Sequence, residues 1–130
     1  MKFYDPRTRK TFSGQVEEEY RSARQIGAVR VGTGHLFFRS GLRRYCMAYE
    51  EIKRCFRRVN SVPAKMCCGK GELQIESLVI ADKEGELAQI GLPGSKAARE
   101  LISELKAKMP GADFSAPKRD ENGNIVQEGA

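Results

Sequence analysis

A chain of 130 residues, 40% hydrophobic and 31% charged, has the composition of one globular domain, which excludes a disordered or collagen-like chain. Its formal net charge of +6 excludes a strongly acidic protein and favours an anionic partner. No apolar run approaches membrane-spanning length, and the opening MKFYDPRTRKTF lacks the apolar centre of a secretory signal. We therefore expect a cytoplasmic protein whose four cysteines are thiols.

Residues 1–25 predict an irregular arm followed by a short helix. The first twelve residues show no hydrophobic period. Ser13 is the predicted N-cap of the helix. Val16, Tyr20 and Ala23 would then share one face of it.

The next stretch, QIGAVRVGTGHLFFRSGLRRYCMAY, is rich in β-branched and aromatic residues and is interrupted by glycines. The predicted strands lie near 26–31, 35–39 and 44–49, with turns at Gly32–Gly34 and Ser40–Gly41. Further along, ELQIESLVIAD and ELAQIGL predict two more strands, joined by a tight turn at Lys83–Gly85.

Residues 43–59 admit two interpretations. Their apolar side chains fall at helical spacing, and alternation typical of a strand is poor, so periodicity favours one amphipathic helix. The competing interpretation is two strands divided at Glu50–Glu51.

The clearest helix is predicted at 95–109. Ser95 is its predicted N-cap, and Pro110 and Gly111 end it. A single apolar stripe would face the core, formed by Ala98, Leu101, Ile102, Leu105 and Met109. Residues 111–130 are polar and are expected to form a flexible tail.

The order of these elements, from VRVGTGHLFFRSGLRRYCMAYEEIKRCFRRV through two further strands to one helix, resembles a bacterial pleckstrin-homology-like (PH-like) domain. The resemblance implies a mainly β fold: an antiparallel sandwich or barrel of six to seven strands over residues 26–110, capped by the C-terminal helix. The N-terminal helix would be an addition. The resemblance also favours two strands in residues 43–59.

Phosphoinositide-binding members of that superfamily carry basic residues around their first strand-to-strand loop. Here the corresponding loop, GTG, is short and uncharged; Arg30 and Arg39 flank it, and Gly41 stands where a second basic residue would be needed. The resemblance therefore implies a non-enzymatic binding module for a protein partner rather than a lipid headgroup.

The positive charge is concentrated in the middle of the chain, where residues 39–70 carry nine basic and two acidic side chains. The candidate binding residues are Arg39, Arg43, Arg44, Lys53, Arg54, Arg57 and Arg58. A protein partner is the leading expectation. The alternative is nucleic acid or an anionic membrane surface, with Phe37, Phe38, Tyr45 and Tyr49 stacking on bases if they are not core residues.

Two adjacent cysteines, Cys67 and Cys68, raise a second alternative, a thiol redox or metal site. The chain has no paired C-x-x-C motif, so a zinc site would have to combine this pair with Cys46 and Cys55. We expect structural thiols instead, with the two neighbours differing in exposure. We predict no catalytic residue, metal or cofactor, because the lone His35 lacks a recognisable catalytic partner in the sequence.

Overall fold

The computed structural model of the chain describes residues 2–63, 72–115, 118–119 and 125–126. Two α-helices and nine β-strands lie within these residues. In chain order they are α1 Glu17–Ser22, β1 Arg24–Ile26, β2 Val29–Val31, β3 His35–Ser40, β4 Arg43–Ala48, β5 Arg54–Pro63, β6 Glu72–Asp82, β7 Gly85–Leu92, α2 Ser95–Lys108, β8 Lys118–Arg119 and β9 Ile125–Val126. One turn of 3-10 helix, Tyr49–Glu51, joins β4 to β5.

The strands form two main antiparallel sheets, in the orders β1-β2-β3-β4 and β5-β6-β7, and β8 pairs with β9 separately. The expectation of a mainly β protein with a C-terminal helix is confirmed. The two main sheets are not hydrogen-bonded to each other in the described part of the chain, so they do not close into a barrel, and that alternative is wrong. None of the described helices has the length and hydropathy needed to cross a membrane.

Residues 43–59 are two strands and not the helix that their periodicity favours. The helical period misleads because both faces of these strands bury apolar groups, which hides the alternation of a half-exposed strand. In β4, Tyr45 packs between the sheets while Cys46 packs on the opposite face. In β5, the neighbours Cys55 and Phe56 are likewise both buried.

The predicted strand at 26–31 is broken into the short hairpin β1–β2. Gly27 lies in the turn with φ +60°, a left-handed conformation that favours glycine. A side chain there would also stand 2.9 Å from Cδ of Pro93. The break therefore falls at a glycine whose backbone conformation and surroundings both disfavour a larger residue.

The main core fills the space between the two sheets and α2. Its fully buried side chains include Leu36, Met47, Leu78, Ile80, Leu101 and Leu105. The helix matches the prediction closely, except that Gly94 and not Ser95 is the N-cap, and no side chain caps it. Ile102 is only half-buried, at the margin of the predicted stripe.

A second cluster covers the outer face of the first sheet. Phe37 and Cys46 are buried there under Phe3 from the arm and Val16 from the segment before α1. Within the arm, Tyr4 lies along β4. Its N–H donates to Arg44 O over 2.8 Å, and its carbonyl accepts the N–H of Cys46 over 2.9 Å.

The residues directly after α2 return to the second sheet. The N–H of Cys55 donates to Asp113 O over 2.9 Å, and the N–H of Asp113 donates to Lys53 O over 3.0 Å. Ala112 and Phe114 pack against the main core. The first part of the segment predicted to be a flexible tail thus contacts the folded domain.

Candidate functional site

The structure divides the seven basic candidates between the two sheets. Arg39, Arg43 and Arg44 lie on the β3–β4 hairpin of the first sheet. Arg54, Arg57 and Arg58 lie on β5 of the second, and Lys53 directly precedes it. Within the described residues the fold supplies a partner for each cation of the second group and for Arg43, whose guanidinium lies 4.6 Å from the centre of the Tyr4 ring, but no acidic partner for Arg39 or Arg44.

Each of the three β5 arginines has an acidic partner, and the longest of these ion pairs joins Arg54 Nε to Asp113 Oδ2 over 3.8 Å. Arg57 donates two hydrogen bonds of 2.5 Å to the carboxylate of Glu76, whose side chain is 6% exposed. Hydrogen bonding from Arg57 lowers the pKa of Glu76, and the same contact raises the pKa of Arg57. Arg58 forms an ion pair of 2.8 Å with Glu86 and donates to Gln89 over 3.1 Å.

Backbone oxygens and an aromatic ring provide the other contacts of this group. Arg54 donates to Ser115 O over 2.9 and 2.6 Å, and its guanidinium lies 5.3 Å from the centre of the Phe56 ring. Arg58 lies 5.4 Å from the same ring. Lys53 Nζ donates to Glu50 O over 3.2 Å. These cations are engaged in stabilising the second sheet.

Arg39 and Arg44 of the hairpin differ from the β5 arginines in having no acidic partner among the described residues. Arg39 and Arg44 stand directly opposite each other across the β3–β4 pair. No carboxylate pairs with either of them within the described part of the chain. Opposed like charges destabilise a sheet, so this position favours a bound anion that neutralises both.

A third arginine completes a small cleft of about 240 Å³ on the outer face of the first sheet. This arginine cleft is lined by Arg30, Arg39 and Arg44, with Tyr20, Gln25 and Phe37 among its other walls. Arg30 lies over the Tyr20 ring, 4.2 Å from its centre, and donates to Tyr20 O over 3.1 Å. It also donates to Gln25 Oε1 over 3.3 Å. Helix α1 therefore holds one of the three guanidinium groups in place.

The cleft can bind a phosphate or another tetrahedral anion. Guanidinium groups match such oxygens with paired, charge-assisted hydrogen bonds. Sequence reasoning named Arg39 and Arg44 but placed them in a patch with the β5 arginines, and it missed Tyr20 and Gln25. The sequence could have shown that Arg39 and Arg44 are neighbours. A two-residue turn at Gly41 and Leu42 pairs Ser40 with Arg43, and therefore Arg39 with Arg44.

The four aromatic side chains considered for base stacking are all buried: Phe37, Phe38, Tyr45 and Tyr49. They form the core, so the alternative in which they stack on bases does not apply. A larger cavity of about 540 Å³ lies between the 3-10 helix and the C-terminal end of α2. Lys53 and Lys108 line it, but so does Glu50, and helix C-terminal carbonyls disfavour an anion there.

The lone histidine has a structural partner. His35 Nδ1 lies 2.9 Å from Glu19 Oε1, and Glu19 Oε2 accepts the N–H groups of Gly34 and His35 over 3.0 and 2.8 Å. Burial alone would raise the pKa of Glu19, but these hydrogen bonds outweigh it and lower the pKa. The contact ties α1 to the turn between β2 and β3.

Two of the four cysteines are described, and both are buried free thiols. Cys46 lies on the outer face of the first sheet, whereas Cys55 lies between the sheets, so the two cannot share one metal ion. Burial raises the pKa of each to about 12. Cys67 and Cys68 lie outside the described residues; among those described, no three His, Cys, Asp or Glu side chains are grouped to hold a metal.

Comparison with known proteins finds two partial relatives. Both are Mycobacterium tuberculosis proteins, from strains CDC 1551 / Oshkosh and ATCC 25618 / H37Rv, and each is named "Putative RNA-guided DNA endonuclease". They are 31% identical to the chain over 110 residues. The match covers 75% of this chain, which spans 23% of the length of either relative. No protein-family model and no solved structure matches the chain.

Proposed function

We propose that the chain is a binding module of PH-like fold that binds the phosphate backbone of nucleic acid through the arginine cleft. The observation that carries the proposal is the direct opposition of Arg39 and Arg44, which no described acidic side chain neutralises. Arg30 adds a third guanidinium already oriented by Tyr20 and Gln25.

The PH-like part of the proposal is supported by the order of the elements. Four antiparallel strands precede three more, and α2 follows them. The short 3-10 helix Tyr49–Glu51 falls where the resemblance places the acidic-apolar link between two strands. Helix α1 and the arm are additions that cover the outer face of the first sheet, and Tyr20 of α1 lines the cleft.

Nucleic acid is favoured over a protein partner by two features taken together. The unpaired cations are arginines gathered in one cleft, which suits closely spaced phosphates better than scattered carboxylates. The relatives carry the name "Putative RNA-guided DNA endonuclease", and the match covers 75% of this chain. Since the chain spans a quarter or less of those proteins, the proposal is limited to binding.

The experiment is a titration of fluorescein-labelled 20-nucleotide single-stranded and duplex DNA, followed by anisotropy at several salt concentrations. If two or three phosphates are neutralised, log K should fall with log salt with a slope of about −2 to −3 on the duplex. Arg44→Glu should abolish the binding. The matched control is Lys96→Glu, the same charge reversal at an exposed site on α2.

Equal titrations with polyglutamate and with vesicles containing phosphatidylserine test the other anionic partners. Tighter binding to polyglutamate than to DNA at the same salt would overturn the proposal in favour of an acidic protein partner. Absence of DNA binding by the wild-type protein at low salt would also overturn it.

A further inference from the structure

The tip of the β3–β4 hairpin carries an exposed leucine. Leu42 is 95% exposed, more than any other large hydrophobic residue of the described chain. It sits in the two-residue turn between Ser40 and Arg43, beside Gly41 at φ +63°. Both adjoining strands remain paired up to this turn, so the leucine is held at the end of a rigid ribbon.

Cations flank this leucine on both faces of the ribbon. Alternation along the strands places Arg39 and Arg44 on the outer face, with Phe37 and Cys46. Arg43 lies on the opposite face, where its guanidinium is 4.6 Å from the centre of the Tyr4 ring. We call the segment 39–44 the basic finger.

We propose that the basic finger inserts into a nucleic-acid groove and places Leu42 between two neighbouring bases as an apolar wedge. This inference rests on the proposed function and specifies how the same arginines are used. Arg39 and Arg44 would contact the phosphates of one strand, while Arg43 would contact those of the other. Apolar side chains inserted at a base step are a recurring means of unstacking and bending a duplex.

The size of the apolar tip favours a base step over a lipid surface. Even a whole myristoyl chain gives only marginal, reversible membrane binding, and one leucine side chain is much smaller. A single leucine is nevertheless large enough to fill the gap between two separated bases, as wedges in minor-groove proteins do. The two-sided arrangement of arginines also matches a groove, which has a phosphate strand on each side, better than it matches a flat surface.

The test uses a 20-base-pair duplex with one 2-aminopurine, whose fluorescence rises when it is unstacked, and a doubly labelled duplex for end-to-end distance. Wild-type protein should raise the fluorescence and shorten the duplex. Leu42→Ser should lose both effects and weaken binding about tenfold, whereas Leu42→Phe should retain them. Val59→Ser, which changes another exposed apolar side chain, is the control and should behave like wild type.

The outcomes separate this inference from the proposed function. If wild type and Leu42→Ser bind equally and give equal 2-aminopurine signals, the wedge is overturned while the arginine cleft stands. If neither the wild-type protein nor the Val59→Ser control binds DNA, both the proposed function and the insertion of Leu42 are contradicted. Loss of vesicle binding by Leu42→Ser, with DNA binding unchanged, would overturn the wedge and assign the tip to lipid.

Discussion

Arg39 and Arg44 are direct cross-strand neighbours on the outer face of the first sheet, and no described carboxylate lies between or beside them as a partner. Every arginine of β5 that was grouped with them in the sequence has a hydrogen-bonding partner within the fold. The contrast separates cations that stabilise the protein from cations that are left for a ligand.

Arg44→Glu should make the protein more stable and less able to bind. The substitution replaces opposed like charges by an opposite-charge pair with Arg39, which we expect to raise the free energy of unfolding by about 0.2–1 kcal/mol. Urea denaturation at low salt measures the gain, and 0.5 M salt should reduce it. A variant that loses both stability and binding would show instead that Arg44 has an unrecognised structural role.

Glu76→Gln should destabilise the second sheet. The change removes the charged acceptor of both hydrogen bonds from Arg57, at a site where the glutamate is buried but Arg57 is about one-third exposed. We expect a loss of about 1–2 kcal/mol, below that of a fully buried ion pair because water can reach Arg57. Glu84→Gln, at an exposed turn position, serves as the control and should change stability by less than about 0.5 kcal/mol.

The same ion pair affects how the candidate binding residues of β5 can be tested by charge reversal of Arg54, Arg57 and Arg58. Reversing all three would place glutamates against Glu76 and Glu86 and remove the bonds to Ser115. We expect this triple variant to lose stability. Its binding defect would therefore be uninformative unless circular dichroism showed an intact fold.

Leu101→Ala should cost about 2–5 kcal/mol of unfolding free energy, because its side chain is fully buried between α2 and the sheets. Ile102→Ala is the comparison within the same helix turn. Its side chain is half-buried and lines a cleft, so its loss should be clearly smaller. Equal losses at the two positions would mean that α2 is rotated relative to the structure described above.

Glu19→Gln should remove a contribution to stability that depends on pH. The folded-state pKa of Glu19 lies below its ordinary value of 4.5, so the ionised carboxylate stabilises the protein above that pH. The contribution declines as pH falls through 4.5 towards the folded-state value. We expect the variant to be about 1 kcal/mol less stable than wild type at pH 7, and the difference should shrink as pH falls below 4.5.

Glu18→Gln is the matched control for that measurement, since Glu18 is exposed on the same helix. It should not reproduce the pH-dependent difference. A difference between wild type and Glu19→Gln that stayed constant down to pH 3 would contradict the role assigned to the carboxylate.

Thiol reactivity should separate the four cysteines. Cys46 and Cys55 are buried, with pKa values raised to about 12, so they should react only when the protein unfolds. One of Cys67 and Cys68 is still predicted to react readily in the native protein and the other slowly. The Cys67→Ser/Cys68→Ser variant should show no fast thiol with Ellman's reagent, and a remaining fast phase would contradict the burial of the other pair.

Local sequence predicted those parts of the fold that depend on local chemistry. Glycine turns located the β3–β4 and β6–β7 hairpins, and the 3.6-residue period located α2 within one residue of its end. It failed at Gly27, where a left-handed glycine turn breaks the predicted strand, and in residues 43–59, where burial on both faces removes the alternation. The second failure is set by what packs against the strands, which the strands' own sequence does not show.

The candidate site was predicted in part for a similar reason. Charge density identified the region, but it could not distinguish Arg44 from Arg57. The distinction depends on strand register, which places Glu76 within reach of Arg57 and leaves only Arg39 opposite Arg44. Without the register of the strands, the sequence could not show which of the seven cations have an acidic partner.

The backbone pairings of Tyr4 and Asp113 affect how a further chain could attach. Strands β4 and β5 are each an outer strand of their sheet. Tyr4 hydrogen-bonds to the backbone of β4, and Asp113 hydrogen-bonds to the backbone at the start of β5. An extended peptide that paired with β4 or with the start of β5 at these positions would have to displace Tyr4 or Asp113. The arm and the segment after α2 therefore oppose edge-to-edge self-association along the middle of β4 and at the start of β5.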